Sequence, residues 1–165
     1  LNTCLRHAKS VKMACMAPVV NARGPLFVHP KGIVKRTTFH VLKMYSDLLA
    51  PNVIDCWCGS DAFEHNDQAV PVVDALATAD DSRKNLVLAL INRHPSDEVT
   101  CEVEVDGAGL NGIFPAEVLA GDSTDAYNDI DRPDRVAPEK ASLKFRAGKV
   151  TLRPHSITIC KCSRT

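Results

Sequence analysis

Three groups of side chains in this 165-residue sequence have the types and spacing to do chemistry. The first is a closely spaced thiol pair, Cys56-Trp57-Cys58, echoed by Cys160-Lys161-Cys162. On a strand, a one-residue gap puts both sulfurs on one face, where they could share a metal. Four-thiolate zinc sites use gaps of two to four residues, so burial of these thiols in a core is the stronger reading. The second is the acidic stretch 121–138, with Asp122, Asp125, Asp129, Asp131 and Asp134. It offers oxygen ligands to calcium but has neither the spacing nor the terminal glutamate of an EF-hand. A solvated loop pinned by Tyr127 and Pro133 is the expectation. The third is a charge division: residues 1–46 hold eight Lys or Arg and no Asp or Glu, against twelve and twenty in residues 47–165. The parts carry +8 and −8. A basic arm can bind nucleic acid, but these charges alternate with apolar residues in element-like patterns and come with no recognised binding motif. No nucleic-acid partner is expected.

The elements that must position these groups fall into two kinds. Residues 1–8 read as the end of a helix, 11–16 as a short strand buried on both faces, and 33–49 as a helix. In that helix Val34, Thr38, Val41, Leu42, Tyr45, Leu48 and Leu49 share an apolar face, with Lys35, Arg36, Lys43 and Asp47 opposite. Helix, buried strand and helix make up a unit of a parallel α/β architecture such as a barrel. Ala50-Pro51-Asn52 closes it, and the pattern then changes. Segments 70–78, 85–92, 99–105, 113–119, 143–145, 150–152 and 156–162 are short and apolar. They are separated by turn chemistry such as Asp80-Asp81-Ser82 and Asp106-Gly107-Ala108-Gly109. Val99, Cys101, Val103 and Val105 alternate with Thr100, Glu102 and Glu104, giving one buried and one wet face. The fold class read from this is mainly β: an antiparallel, jelly-roll-like sandwich preceded by the last β/α unit of a truncated (β/α)8 barrel. The boundary falls between 1–50 and 51–165.

Composition sets the compartment. At 45% apolar the chain can fill a core, and no run approaches the roughly 20 apolar residues that cross a bilayer. No membrane partner is expected. Seven cysteines make an odd set in a chain this rich in core residues, which favours reduced thiols and a cytoplasmic location.

The segment "VKMACMAPVVNARGPLFVHPKGIVKRTTFHVLKMY" resembles the end of the catalytic barrel of α-L-arabinofuranosidases of glycoside hydrolase family fifty-one. The likeness resumes at "VPVVDALATAD", "LVLALINRHP", "VLAGDSTDAYNDIDRPDRVAPE" and "LRPHSITI", and so spans nearly the whole chain. It implies removal of terminal α-L-arabinofuranosyl groups from arabinose-containing glycans, without a cofactor, by retaining hydrolysis. Two carboxyl groups about 5 to 5.5 Å apart then act as nucleophile and acid/base. It also implies that residues 11–16 are the last barrel strand and that Ala17 to Asn21 stand at the rim of the sugar pocket. Asn21 and Arg23 are the substrate-binding candidates, each with a structural role in the loop as the alternative. Many members have a sugar-contacting Gln where this sequence has Pro18, which has no amide to donate. His29, before Pro30, either touches a substrate branch or closes a turn, and the turn is favoured. No Asp or Glu precedes Asp47, and Asp47 belongs to the polar helix face, so no catalytic residue is assigned here.

Two functions follow from different classes. One is the C-terminal portion of an arabinofuranosidase, inactive alone, for which the resemblance implies a homo-oligomer when whole. The other is a non-catalytic sandwich that binds carbohydrate or a partner. Sugar-binding sandwiches present aromatic platforms, and after Pro51 there are only Trp57, Tyr127, Phe63, Phe114 and Phe145, which weakens the second reading.

Overall fold

The computed structural model describes residues 1–163. In chain order its elements are helix α1 (Asn2–Arg6), strands β1 (Leu26–His29) and β2 (Gly32–Lys35), helix α2 (Thr37–Leu48), and then strands β3 to β14. These are β3 (Asn52–Ile54), β4 (Ala62–His65), β5 (Gln68–Pro71), β6 (Val73–Ala79), β7 (Asn85–Asn92), β8 (Val99–Glu102) and β9 (Glu104–Val105). They continue with β10 (Ala108–Gly109), β11 (Gly112–Ala120), β12 (Glu139–Phe145), β13 (Lys149–Leu152) and β14 (Ser156–Ser163).

The centre is a six-stranded antiparallel sheet in the order β12-β11-β14-β7-β6-β3. Strands β6, β7 and β14 have buried residues on both faces because both faces of the sheet are covered, and β7 is apolar throughout from Leu86 to Ile91. The register aligns Ala77 with Leu88, Leu88 with Cys160 and Cys160 with Ala116, so these four share a face. That face packs against Val150 and Leu152 of β13, Cys101 of β8 and Phe145, forming the sandwich core. Side chains alternate along a strand, so the neighbours Leu76, Val87, Ala89, Leu119 and Ile159 point the other way. They meet Met44 and Tyr45 of α2, with Leu5 of α1 alongside. Leu76 is fully buried between these layers.

Beyond the sheet, β8 pairs with β13 in the facing layer, and β9 with β10. The expected alternation in 99–105 is present, with the odd-numbered residues inward. The antiparallel sandwich expected from the sequence is thus the observed architecture.

The N-terminal fifty residues depart from expectation in three places. Residues 11–16 form no strand; they run exposed, with Met13 80% accessible. A parallel barrel strand takes its hydrogen bonds from neighbours on both sides, and among the described residues none lies alongside. The helix expected over 33–49 begins at Thr37, because 26–35 folds into the β1-β2 hairpin around Pro30-Lys31. The buried face of α2 also differs: His40, Met44 and Tyr45 are buried, Val41 and Leu48 half-buried, and Thr38 is exposed. Lys43 and Asp47 lie on the exposed face as expected and pair there, whereas Lys35 belongs to β2 and Arg36 precedes the helix.

Long-range polar contacts fix α1 despite its five residues. Tyr45 Oη donates to Asn2 Oδ1 at 2.6 Å. Arg6 Nη1 reaches Asp74 Oδ1 on β6 at 2.6 Å, and Arg93 Nη2 takes the other oxygen at 2.8 Å. Burial, reinforced by the Asp74 charge, pushes the Tyr45 hydroxyl up to about 12, so it remains a donor at neutral pH.

Candidate functional site

The rim segment after the exposed 11–16 run is organised around Asn21. Its backbone lies in the left-handed region (φ 54°), which Asn tolerates better than other non-glycine residues. Its N–H donates to Leu26 O at 2.7 Å, and its Oδ1 accepts from Val28 N–H at 2.7 Å. One side of Asn21 therefore holds the loop in shape, while no partner for its Nδ2 is present among the described residues. Gly24 follows where a Cβ would stand 2.6 Å from the Val19 carbonyl carbon, so only glycine fits. The Ala17-Pro18 peptide is cis. His29 Nδ1 accepts from Lys31 N–H at 3.2 Å, closing the hairpin turn.

Arg23 is exposed and makes no hydrogen bond or ion pair among the described residues. It lines an open cleft of about 480 Å³ together with Phe27, Arg36, Thr37, Thr38 and Tyr127. Asn21 is not among the lining residues, although its neighbour Ala22 is. The two sequence candidates thus divide: one shapes the loop and the other faces the cleft.

Two residues that sequence reading did not single out hold this cleft together. Arg36 donates from Nη1 to the carbonyls of Ala22 and Gly24, and its guanidinium lies 5.1 Å from the Phe27 ring centroid. Asn128, only 2% exposed, donates from Nδ2 to Lys35 O and Val136 O at 2.8 Å each and accepts from Val136 N–H at 2.7 Å. It ties the acidic loop to the β2-α2 junction. The expected pin, Tyr127, is instead 57% exposed on the cleft wall, and its neighbour Asn128 holds the loop. In the primary sequence, an Asn next to a Tyr in a turn-rich stretch is the only cue to this anchor.

Charge in the loop is locally matched. Asp129 Oδ1 accepts from the N–H groups of Asp131 and Arg132 at 3.1 and 2.7 Å. Asp122 takes a two-point contact from Arg135 at 3.0 and 2.7 Å, which lowers its carboxyl below the usual range. Beneath the loop, burial and the nearby Lys35 lower the pKa of His40, opposed in part by Asp134. Its Nε2 is buried without a partner.

The thiol pairs lie apart from this cleft. Cys160 and Cys162 share the sandwich-facing side of β14 with sulfurs 3.6 Å apart, both buried. The hydrogen bond to Cys162, then burial, raises Cys160. Cys56 is half-buried and Cys58 exposed, and burial raises both.

The described residues thus form an antiparallel sandwich carrying a helix pair on one face, with a loop-built cleft beside the N-terminus of α2. Residues 1–156 match the model of the alpha-L-arabinofuranosidase C-terminal domain, and the chain belongs to that family. It is 28% identical over 166 residues to an intracellular exo-alpha-(1->5)-L-arabinofuranosidase of Streptomyces lividans, covering 96% of this chain and 25% of that protein. It is 33% identical over 137 residues to alpha-L-arabinofuranosidase C of Emericella nidulans, covering 78% and 26%. The fold matches the family 51 arabinofuranosidase of Thermotoga petrophila with a TM-score of 0.85 at 18% identity, over 98% of this chain and 36% of that one. The corresponding enzyme of Xanthomonas axonopodis gives 0.82 at 25% identity, over 97% and 33%. The chain therefore spans about a quarter to a third of the length of the curated relatives it matches. Among the described residues, no helix is long and apolar enough to cross a membrane.

Proposed function

We propose that this chain is the C-terminal part of a retaining α-L-arabinofuranosidase that removes terminal α-L-arabinofuranosyl groups from arabinose-containing glycans. The nucleophile and acid/base carboxylates belong to a part of the enzyme outside these residues. Residues 1–50 complete the catalytic barrel, and residues 51–165 form the sandwich that supports it. The observation carrying this reading is the family match over residues 1–156, joined to structural likeness covering nearly all of this chain but only about a third of two family 51 enzymes.

The exposed run 11–16 supports the division. Its apolar side chains, left open to solvent here, are of the type that a two-sided barrel strand buries. The chemistry agrees, because the barrel-derived part contributes no Asp or Glu before Asp47, whose carboxylate is paired with Lys43. Asn21 Nδ2 and the Arg23 guanidinium remain as donors at the rim and are the substrate contacts of this segment. The location is cytoplasmic; the relatives named intracellular and the seven unbridged cysteines support it.

The test is the genomic reading frame around Leu1. A frame continuing upstream through about 300 residues of alternating strand and helix pattern agrees with the proposal. A start codon at that point would overturn it in favour of a free-standing module.

A further inference from the structure

We propose that the Asn111-Gly112 peptide is a site of spontaneous covalent modification, at which the asparagine amide is lost and the backbone passes through a succinimide to aspartate and isoaspartate. The only co-reactant is water. The site goes beyond the proposed activity and does not rest on it.

Each residue of the pair is required by a different constraint. Gly112 has φ +134°, and a Cβ there would stand 3.0 Å from the Phe114 ring, so a side chain is disfavoured on both counts. Asn111 joins two turns: its Nδ2 donates to Gly109 O at 2.8 Å, and its Oδ1 accepts from Ala147 N–H at 2.6 Å. Ala147 itself lies in the left-handed region (φ 47°), and the bond from Asn111 helps to hold it there. The fold therefore sets a glycine directly after an asparagine.

The same order makes the peptide reactive. The Gly112 nitrogen gives its proton to hydroxide and attacks Asn111 Cγ, closing a five-membered ring, while the Cγ–Nδ2 bond breaks and ammonia leaves. Water then opens the ring. Cleavage of the new Cγ–N bond gives aspartate, and cleavage of the original peptide bond gives isoaspartate. Gly112 has no Cβ to obstruct the attack. Asn111 and Gly112 are exposed, Ile113 is 65% accessible, and Gly112 with Phe145 is the end pair of the β11-β12 ladder, where strands open first. Asn52 is also exposed but precedes Val53, whose branched side chain hinders the same approach. The nine residues of β11 set the pair about 25 Å from the opposite end of the strand, where Leu119 meets α2. The site thus lies away from the helices of residues 1–50.

The products cannot keep the contacts of Asn111. A carboxylate would face the Gly109 carbonyl where an N–H now donates. Isoaspartate adds a methylene to the main chain and disrupts the register at the start of β11.

The experiment incubates the folded 165-residue chain at mildly alkaline pH, beside the same chain unfolded in urea. Peptide mapping by mass spectrometry follows the replacement of the amide NH2 by OH. An isoaspartyl carboxyl methyltransferase with labelled S-adenosylmethionine counts the isoaspartate. In the folded chain the mass gain should appear first in the peptide holding 111–112, accelerate as pH rises, and be slower than in urea because two hydrogen bonds must open. Asn111→Gln, which would have to close a six-membered ring, should lose the signal. In aged protein amide exchange should quicken at Ala147 and along 108–114, with the amides of 37–48 unchanged. The wild-type time course stands by itself should the variant fail to fold. An intact Asn111 in the folded chain after the urea sample has reacted fully would overturn the proposal. So would modification at Asn52 as fast as at Asn111, or an isoaspartate signal that persists in folded Asn111→Gln.

Discussion

Replacing Asn128 with alanine removes the anchor that joins the acidic loop to the β2-α2 junction, and its cost can be worked from three contacts. Nδ2 gives two hydrogen bonds at 2.8 Å and Oδ1 receives one at 2.7 Å, all at a site 2% exposed. A neutral hydrogen bond contributes about 1 kcal/mol net, and leaving its partner buried and unpaired costs about as much again unless water enters. With water reaching part of the vacated space, the loss is about 2–3 kcal/mol. In a domain of this length that lowers Tm by about 5–10 °C and, with a urea slope of about 2 kcal/mol per molar, moves the midpoint by about 1–1.5 M. Asn128→Asp sharpens the test: it keeps the shape and the acceptor for Val136 N–H but turns a carboxylate oxygen toward two carbonyls. It should be at least as damaging as alanine. Equilibrium urea unfolding followed by circular dichroism reads both, and an unchanged slope shows that the native fold was not altered. A shift below about 0.5 kcal/mol in either variant, the size of an ordinary surface change, would refute the anchoring role.

Leu76→Ala, in the fully buried layer between sheet and helices, should cost about 2–5 kcal/mol by thermal or urea unfolding. Tyr45→Phe removes the bond to Asn2 and should cost about 1 kcal/mol, with faster amide exchange confined mainly to residues 2–6. His40 has its pKa lowered from 6.5, so the folded state disfavours the charged form. Its contribution is present above the unfolded value and is lost as pH falls below about 6.5 toward the folded pKa. His40→Leu also removes an unpaired buried nitrogen, so it should be neutral or stabilising at pH 7 and should flatten the stability profile between pH 7 and 5. Asp122 and Asp80 have carboxyls lowered below 3.8 by the Arg135 pair and by the Asn85 hydrogen bond respectively. Their contribution holds above that value and is lost as pH falls through their folded pKa; Asp122→Asn should reduce the acid dependence of the unfolding midpoint.

The parts of this fold legible in sequence are those whose pattern depends on neighbours within a few residues. Strand β7 is a continuous apolar run from Leu86 to Ile91, β6 and β14 are largely apolar between turn residues, and 99–105 alternates cleanly. The run 11–16 has the same local character, yet it stands open. Strand propensity does not by itself provide a partner, and its apolar faces find none among the described residues. The start of α2 was misplaced because Ile33 and Val34 suit a helix face as well as a hairpin. The pairing of Phe27 with Val34 across Pro30-Lys31 decides the matter. The cleft is only half legible: the family resemblance singles out Arg23, whereas Arg36 and Asn128 act on partners 8 to 93 residues away. Sequence proximity carries no signal for such contacts.

The central claim is that the carboxylates of catalysis lie outside these 165 residues. The most direct test is to assay the purified chain, freed of contaminating hydrolases, on an aryl α-L-arabinofuranoside at enzyme-level concentrations. The account predicts no release of arabinose above the uncatalysed rate, with release appearing once the preceding part of the enzyme is included. Saturable turnover by the 165-residue chain alone would contradict it.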